Sequence, residues 1–268
     1  MDMKPFENCK VAVCFSGQSR TFKYCAESIN NFFSSDKNNQ YYFFGHTTNK
    51  NYYKLPAGNG IGVIDPAAFE TLDIDKLLSD INDHFSFEKL LVEEEVQRRI
   101  NFGTGLYSQM KSNYLKQKYE VENNMMFDVV IRARFDICYP HNAKFEHFIN
   151  FLIEEKTLYA NYGIMRREFV LPNPSQIFHF GSSLTMDLTD SLYNSLITKA
   201  FHKELGFSNS NLVWEWVGDG ALLHKWCTMK NILPKNFIIP MAIVRKHSIN
   251  LDYKSEWNKV CRAGWFLE

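Results

Sequence analysis

Apolar positions fall into short β-branched or aromatic runs separated by longer stretches of helical spacing. Lys10-Val11-Ala12-Val13-Cys14-Phe15 is uncharged after its lysine and reads as a strand that opens into the polar Ser16-Gly17-Gln18-Ser19-Arg20-Thr21-Phe22. Tyr24 to Phe33 carries Ile29, Phe32 and Phe33 near helical spacing, Ser34 to Gln40 is a polar loop, and Tyr41 to His46 is an aromatic strand ending at Thr47-Thr48-Asn49. The glycine-containing stretch Pro56 to Gly62 is loop, and the region from Asp65 to Leu91 is mixed and partly helical. Glu93-Glu94-Glu95 before Gln97-Arg98-Arg99 reads as a solvated helix face without chemistry.

The second half repeats the pattern. Leu106 to Val121 is a helix, with Tyr107, Ser108, Gln109 and Lys111 near its start, where an anion would be favoured. Val129-Val130-Ile131 is a buried strand that Pro140 stops. A helix over Phe145–Glu155, a strand over Thr157–Tyr162 and a rigid connector at Leu171–Ser175 follow. Gln176 to Phe180 is a strand entering a Gly181-Ser182-Ser183 turn, and Leu184–Leu196 is a helix with Thr185 as its N-cap. A helix over Ala221–Met229, a strand region over Pro234–Val244 and an apolar tail with Trp257 and Trp265 that should pack complete the reading. The expectation is an α/β chain with a mostly parallel central sheet flanked by helices. No repeat or biased linker divides it, so it reads as one domain, about 1–140 and about 141–268 forming its two halves.

Composition narrows the classes. The chain is 45% hydrophobic and 22% charged, the balance of a globular protein. Thirty basic and thirty acidic residues cancel, so no global field favours nucleic acid. The six cysteines show no C-x-x-C pair, and Cys14 and Cys138 lie in apolar runs, which predicts reduced, packed thiols. Met1 to Lys10 lacks a signal-peptide core and no run reaches the ~20 apolar residues of a membrane span, so a soluble cytoplasmic protein is expected.

Chemistry concentrates at strand ends. After Ile131, Arg132, Arg134 and Asp136 alternate, which on a strand puts all three on one face. A carboxylate there can hold a divalent cation, and a guanidinium can meet phosphate; an ordinary Arg–Asp ion pair is the competing reading. The Ser16-to-Phe22 turn offers backbone N–H groups and Arg20 to an anion, without a dinucleotide fingerprint or a phosphate-cradling P-loop. Trp214-Glu215-Trp216-Val217-Gly218-Asp219-Gly220 sets two acids beside aromatic rings before a helix; Asp219 or Glu215 could take a proton from a hydroxyl, or Asp219 could simply cap the helix. Arg245-Lys246-His247-Ser248 follows a strand as a phosphate-and-metal corner or plain surface, and His46 at a strand end reads as structural.

Three of these stretches, Ser16–Phe22, Phe127–Asp136 and Phe180–Asp187, resemble a nucleotide-sugar-dependent glycosyltransferase of the GT-A fold. The resemblance is to a bacterial and phage group similar to lipopolysaccharide-type sugar transferases. It implies a single Rossmann-like domain that binds a nucleoside diphosphate sugar, with UDP as the expected nucleotide. It implies donor contacts from Ser16, Gly17, Gln18, Arg20, Arg132, Arg134, Gly181, Ser182 and Arg245. Mg²⁺ or Mn²⁺ would sit on Asp136 and His247, and Asp219 or Glu215 would be the base. The Asp-x-Asp element that usually holds the metal reads Arg134-Phe135-Asp136 here, so its first acid is an arginine.

The expected reaction is transfer of a sugar to a hydroxyl, a polysaccharide or other glycan being the first choice of acceptor. A hydroxymethylated DNA base is the alternative acceptor, which the neutral net charge disfavours. A nucleotidyltransferase would share the nucleotide corner, but this chain has no Lys-bearing Gly-rich loop to serve it. A non-catalytic nucleotide- or carbohydrate-binding module is the reading from another class.

Overall fold

The computed structural model describes residues 4–19, 21–34, 36–48, 50–54, 64–71, 75, 78–79, 86–93, 101–140, 143–145, 152–162, 174–198, 219–237, 239 and 241–243. The first part of the chain runs β1 (Lys4–Pro5), β2 (Lys10–Ser16), α1 (Phe22–Ser34), β3 (Gln40–Thr48), β4 (Lys50–Lys54), β5 (Ile64–Thr71) and β6 (Lys89–Glu93). The middle holds α2 (Asn101–Glu122), β7 (Val129–Arg134), β8 (Ile137–Cys138), β9 (Leu152–Ile153), β10 (Thr157–Tyr162) and β11 (Pro174–Gly181). Then come α3 (Ser183–Asp190), α4 (Leu192–Ile197), α5 (Asp219–Met229), β12 (Leu233–Asn236) and β13 (Ala242–Ile243).

Seven strands form the central sheet in the order β12-β10-β11-β7-β2-β3-β6. β6, β3, β2 and β7 are parallel neighbours. β11 runs against both β7 and β10, and β12 is parallel to β10. The chain therefore builds outward from β2 through β3 to β6, then crosses back to lay β7 on the other side of β2. That reversal of direction is a topological switch point, and the crevice beyond the carboxyl ends of β2 and β7 is where such sheets take ligands.

Both faces of β2 and β7 are dry. Val11, Val13, Phe15, Val129, Ile131 and Ala133 pack with Cys25, Ile29 and Phe32 of α1 on one side. Ala12, Cys14 and Val130 pack on the other with Leu106 of α2, Met186 of α3 and Trp226 of α5. Strand alternation splits the two sets, and double burial explains the unbroken apolar runs at residues 11–15 of β2 and 129–131 of β7. Phe135, just past β7, lies 5.5 Å from the Phe15 ring and 5.4 Å edge-on from Phe22, which pins the turn after β7 to β2 and α1. Cys9, Cys14, Cys25, Cys138 and Cys227 are buried, packed as small apolar groups. No helix among the described residues is long and apolar enough to cross a membrane.

Several local expectations change. Glu93 is not on a helix: it ends edge strand β6, with Thr48 as its cross-strand partner. α2 begins at Asn101, so Tyr107, Ser108, Gln109 and Lys111 lie within the helix, away from its N-terminal partial charge. The end of the expected 145–155 helix is instead β9, whose Ile153 pairs with Lys4 of β1. The helix expected over 184–196 is two, α3 and α4, meeting at Ser191. Its cap is Ser182, whose hydroxyl accepts the Thr185 N–H at 3.3 Å, because the chain turns helical before Thr185. The strand region 234–244 divides into β12 and β13, the latter pairing with β8. Trp214–Gly218, Arg245–Ser248 and the apolar tail lie outside the described residues.

Candidate functional site

The switch point is built by Ser16 and Arg134, which are direct cross-strand partners at the carboxyl ends of β2 and β7. Gly17 then leaves the strand with φ +102°, a left-handed conformation in which only glycine avoids a Cβ clash with its own backbone. Its N–H is spent inside the protein, donating to Ser108 Oγ of α2 at 2.9 Å, so this amide of the turn holds the loop to the helix. The Ser108 hydroxyl donates to the His46 carbonyl at 2.9 Å, and its oxygen stands 2.8 Å from His46 Nδ1. A buried serine with those contacts ties β2, β3 and α2 together and is not set up as a nucleophile.

His46 connects onward. Its Nε2 is 3.2 Å from Glu93, within ion-pair reach. Glu93 also accepts from the Tyr107 hydroxyl at 2.7 Å and lies 3.4 Å from the Lys111 ammonium. Burial works against the Glu93 charge, but Tyr107, His46 and Lys111 outweigh it and hold the carboxyl below its usual range. Glu93, expected on a solvated helix face, is thus the hub of the β3–β6–α2 corner.

Beneath the crevice, Arg132 is only 1% exposed and donates to Ser16 Oγ. Its Nη1 stands 4.0 Å from Asp190, the last residue of α3, while Arg132 Nε and Nη1 and both Asp190 oxygens lack hydrogen-bond partners among the described residues. Burial pushes the guanidinium down to about 10 and the carboxyl up to about 7, each against the pull of the other's charge. Arg132 therefore underlies the crevice and does not line its surface.

Arg134 and Asp136 make the outermost charged pair. Asp136 lies in the turn after β7, not on the strand, so the expected alternation of three charges along one strand stops at Arg134. Arg134 closes on it bidentately, Nε to Oδ1 at 2.7 Å and Nη2 to Oδ2 at 2.6 Å. The aspartate side chain is fully buried and that of the arginine is 30% exposed. Both carboxylate oxygens are thus engaged by a cation, and among the described residues no group of three or more His, Cys, Asp and Glu side chains converges on a point where a metal could sit. A divalent ion there would need several further oxygen or nitrogen ligands, and the expected second one, His247, lies outside the described residues.

The remaining expected residues are not all brought here. Gly181 ends the reversed strand β11 and pairs with Val130, so it and Ser182 sit at the opposite edge of the sheet, about 13 Å along β7 from Arg134 at strand rise. A Cβ at Gly181 would come within 2.9 Å of the Thr157 carbonyl, so close packing of β11 on β10 accounts for this glycine. Asp219 is the first residue of α5, and the far end of that helix leads into β12, whose Leu233 pairs with the first residue of β10. The helix thereby starts toward the carboxyl edge that holds Ser16 and Arg134. Gln18 lies in the turn after β2, half-buried, with its Oε1 buried and without a hydrogen-bond partner among the described residues. Arg20, Glu215, Arg245 and His247 lie outside the described residues. Asp190 was missed because nothing in Leu188-Thr189-Asp190 signals that this helix end lies over Arg132. Compared with known proteins, the chain matches no family model and no curated protein matches it in sequence.

Proposed function

We propose that the chain is a glycosyltransferase that moves a sugar from a nucleoside diphosphate sugar, with UDP as the nucleotide, to a hydroxyl of a glycan. One observation carries the reading: the switch point brings Ser16, Gly17 and the Arg134–Asp136 pair to a single carboxyl edge of a mostly parallel sheet. The mixed seven-stranded sheet, with β11 reversed, is compatible with a GT-A arrangement of a Rossmann-like domain.

In sugar transfer, negative charge develops on the departing diphosphate, and a preorganised cation aimed at it lowers the barrier. Arg134 is that cation in this reading, held in a fixed plane by Asp136. The Gly17 turn, locked by Ser108, sets the wall against which the nucleotide lies. Asp219, opening α5 toward the same edge, is the candidate to accept the acceptor's proton in an inverting transfer.

The test is a screen of nucleotide sugars for release of the nucleoside diphosphate by the purified chain, with water and then glycans as acceptors. At least one donor should be cleaved, and Arg134→Ala should slow that cleavage about 10²- to 10³-fold. Absence of turnover and of UDP binding with every donor would overturn the reading.

A further inference from the structure

We propose that Asp136 is a positioning residue for Arg134 and not a metal ligand, so that the donor's diphosphate is met by guanidinium N–H groups with no divalent cation on this carboxylate. The inference rests on the glycosyltransferase reading and specifies how its leaving group is held.

The geometry supplies the argument. A guanidinium is a rigid plane carrying five N–H groups, and two of them are committed to the two oxygens of Asp136. Fixing one edge of the plane on a buried carboxylate fixes the direction of all its other N–H groups, which a flexible side chain at a strand end could not otherwise maintain. Asp136 is itself immobilised. It follows Phe135, whose ring is clasped by Phe15 and Phe22, and it precedes β8, which is paired with β13. The division of burial fits the roles, with the acid inside and the arginine partly exposed at the crevice.

The same arrangement opposes a metal. Asp136's negative charge is already matched, and a divalent cation on its oxygens would lie within a few ångströms of the guanidinium, where like charges repel. Arg134 also stands where the Asp-x-Asp pattern would place a second oxygen donor. A phosphate reaching this corner meets a cation presented by the protein itself.

The experiment is calorimetric titration of the full chain with UDP, once in EDTA and once in Mn²⁺, beside spin-resonance titration of Mn²⁺ alone. UDP should bind equally well in both buffers, and the Mn²⁺ signal should be that of the free ion. Arg134→Ala should weaken UDP about 10- to 100-fold, as expected for lost charge-assisted hydrogen bonds. Arg134→Lys, a point charge without the fork, should recover little of that loss. Asp136→Asn should weaken UDP in EDTA with no recovery in Mn²⁺, and a melting curve checks that it folds. The wild-type comparison of buffers needs no variant and decides the matter even if Asp136→Asn is unfolded. UDP binding only with Mn²⁺, together with Mn²⁺ uptake by the protein, would overturn the inference while leaving sugar transfer intact. No UDP binding in either buffer would overturn both.

Discussion

Arg132 and Asp190 face each other across 4.0 Å beneath the carboxyl edge of the sheet, both buried and neither hydrogen-bonded to the other. A charged pair in that position has lost its water without gaining good geometry, which is why burial dominates both protonation equilibria.

Stability should therefore depend on the protonation of Asp190. Its carboxyl is raised from 3.8 to about 7, so the folded chain holds this proton more tightly than the unfolded chain does. Folding gains from the group at acid pH, and that gain is lost as pH rises from about 3.8 through about 7. The groups acting on it are Arg132, Asp187 and Lys116. In urea unfolding, the stability difference between wild type and Asp190→Asn should fall across that window by a few kcal/mol at most, on the order set by linkage. A difference that is flat with pH would show that Asp190 titrates in the folded chain as it does in the unfolded one.

Ser108→Ala should cost more than its size suggests. It removes the acceptor of the Gly17 N–H and the partner of His46 Nδ1 in a buried corner. Leaving such groups unsatisfied costs about 1–3 kcal/mol, measurable as a lower urea midpoint at unchanged m-value. Because the Gly17 turn borders the proposed nucleotide wall, UDP binding should weaken in the same variant.

Lys116 holds α2 to α3. Its fully buried ammonium donates to Ser183 at 2.7 Å and to Asp187 at 2.8 Å and pairs with Glu120 at 2.9 Å. Burial disfavours its charge, yet Asp187 and Glu120 outweigh burial and keep its protonation above the usual lysine range. Lys116→Met should lose about 3–5 kcal/mol because it strands those carboxylates. Adding Asp187→Leu and Glu120→Gln to it should recover part of the loss, as read by thermal unfolding.

Two glycines should fail for different reasons. Gly17→Ala meets nothing within 4 Å but must hold φ +102°, so the cost is backbone strain of about 1–2 kcal/mol. Gly181→Ala has an ordinary φ but drives a methyl to 2.9 Å from the Thr157 carbonyl, an overpacking loss of about 1–3 kcal/mol. Melting temperatures should fall in both, while UDP affinity should fall only with Gly17, since Gly181 lies at the other edge of the sheet.

Much of the frame was legible along the chain. β2, α1, α2 and β7 all lie where apolar runs and helical spacing put them, because those segments are buried in a way that leaves a periodic record. The thiols expected to pack as apolar groups do so where they are described. The role of Glu93 was not legible, because three consecutive acids resemble a solvated face, whereas the first of them ends a strand and meets a histidine from β3.

Sequence alone determined which stretches are dry on one side or two, and hence which become strands and helices and that they form an α/β fold. Tertiary structure alone decided which ends of those elements meet. Hydrophobic periodicity reports the faces of an element but not its neighbour or its direction. The reversal of β11 thus carried Gly181 and Ser182 away from the crevice, while the end of α3 brought Asp190 over Arg132. That the Asp136 carboxylate meets a guanidinium was likewise a matter of how the chain turned after β7, where Arg134 folds back onto both of its oxygens.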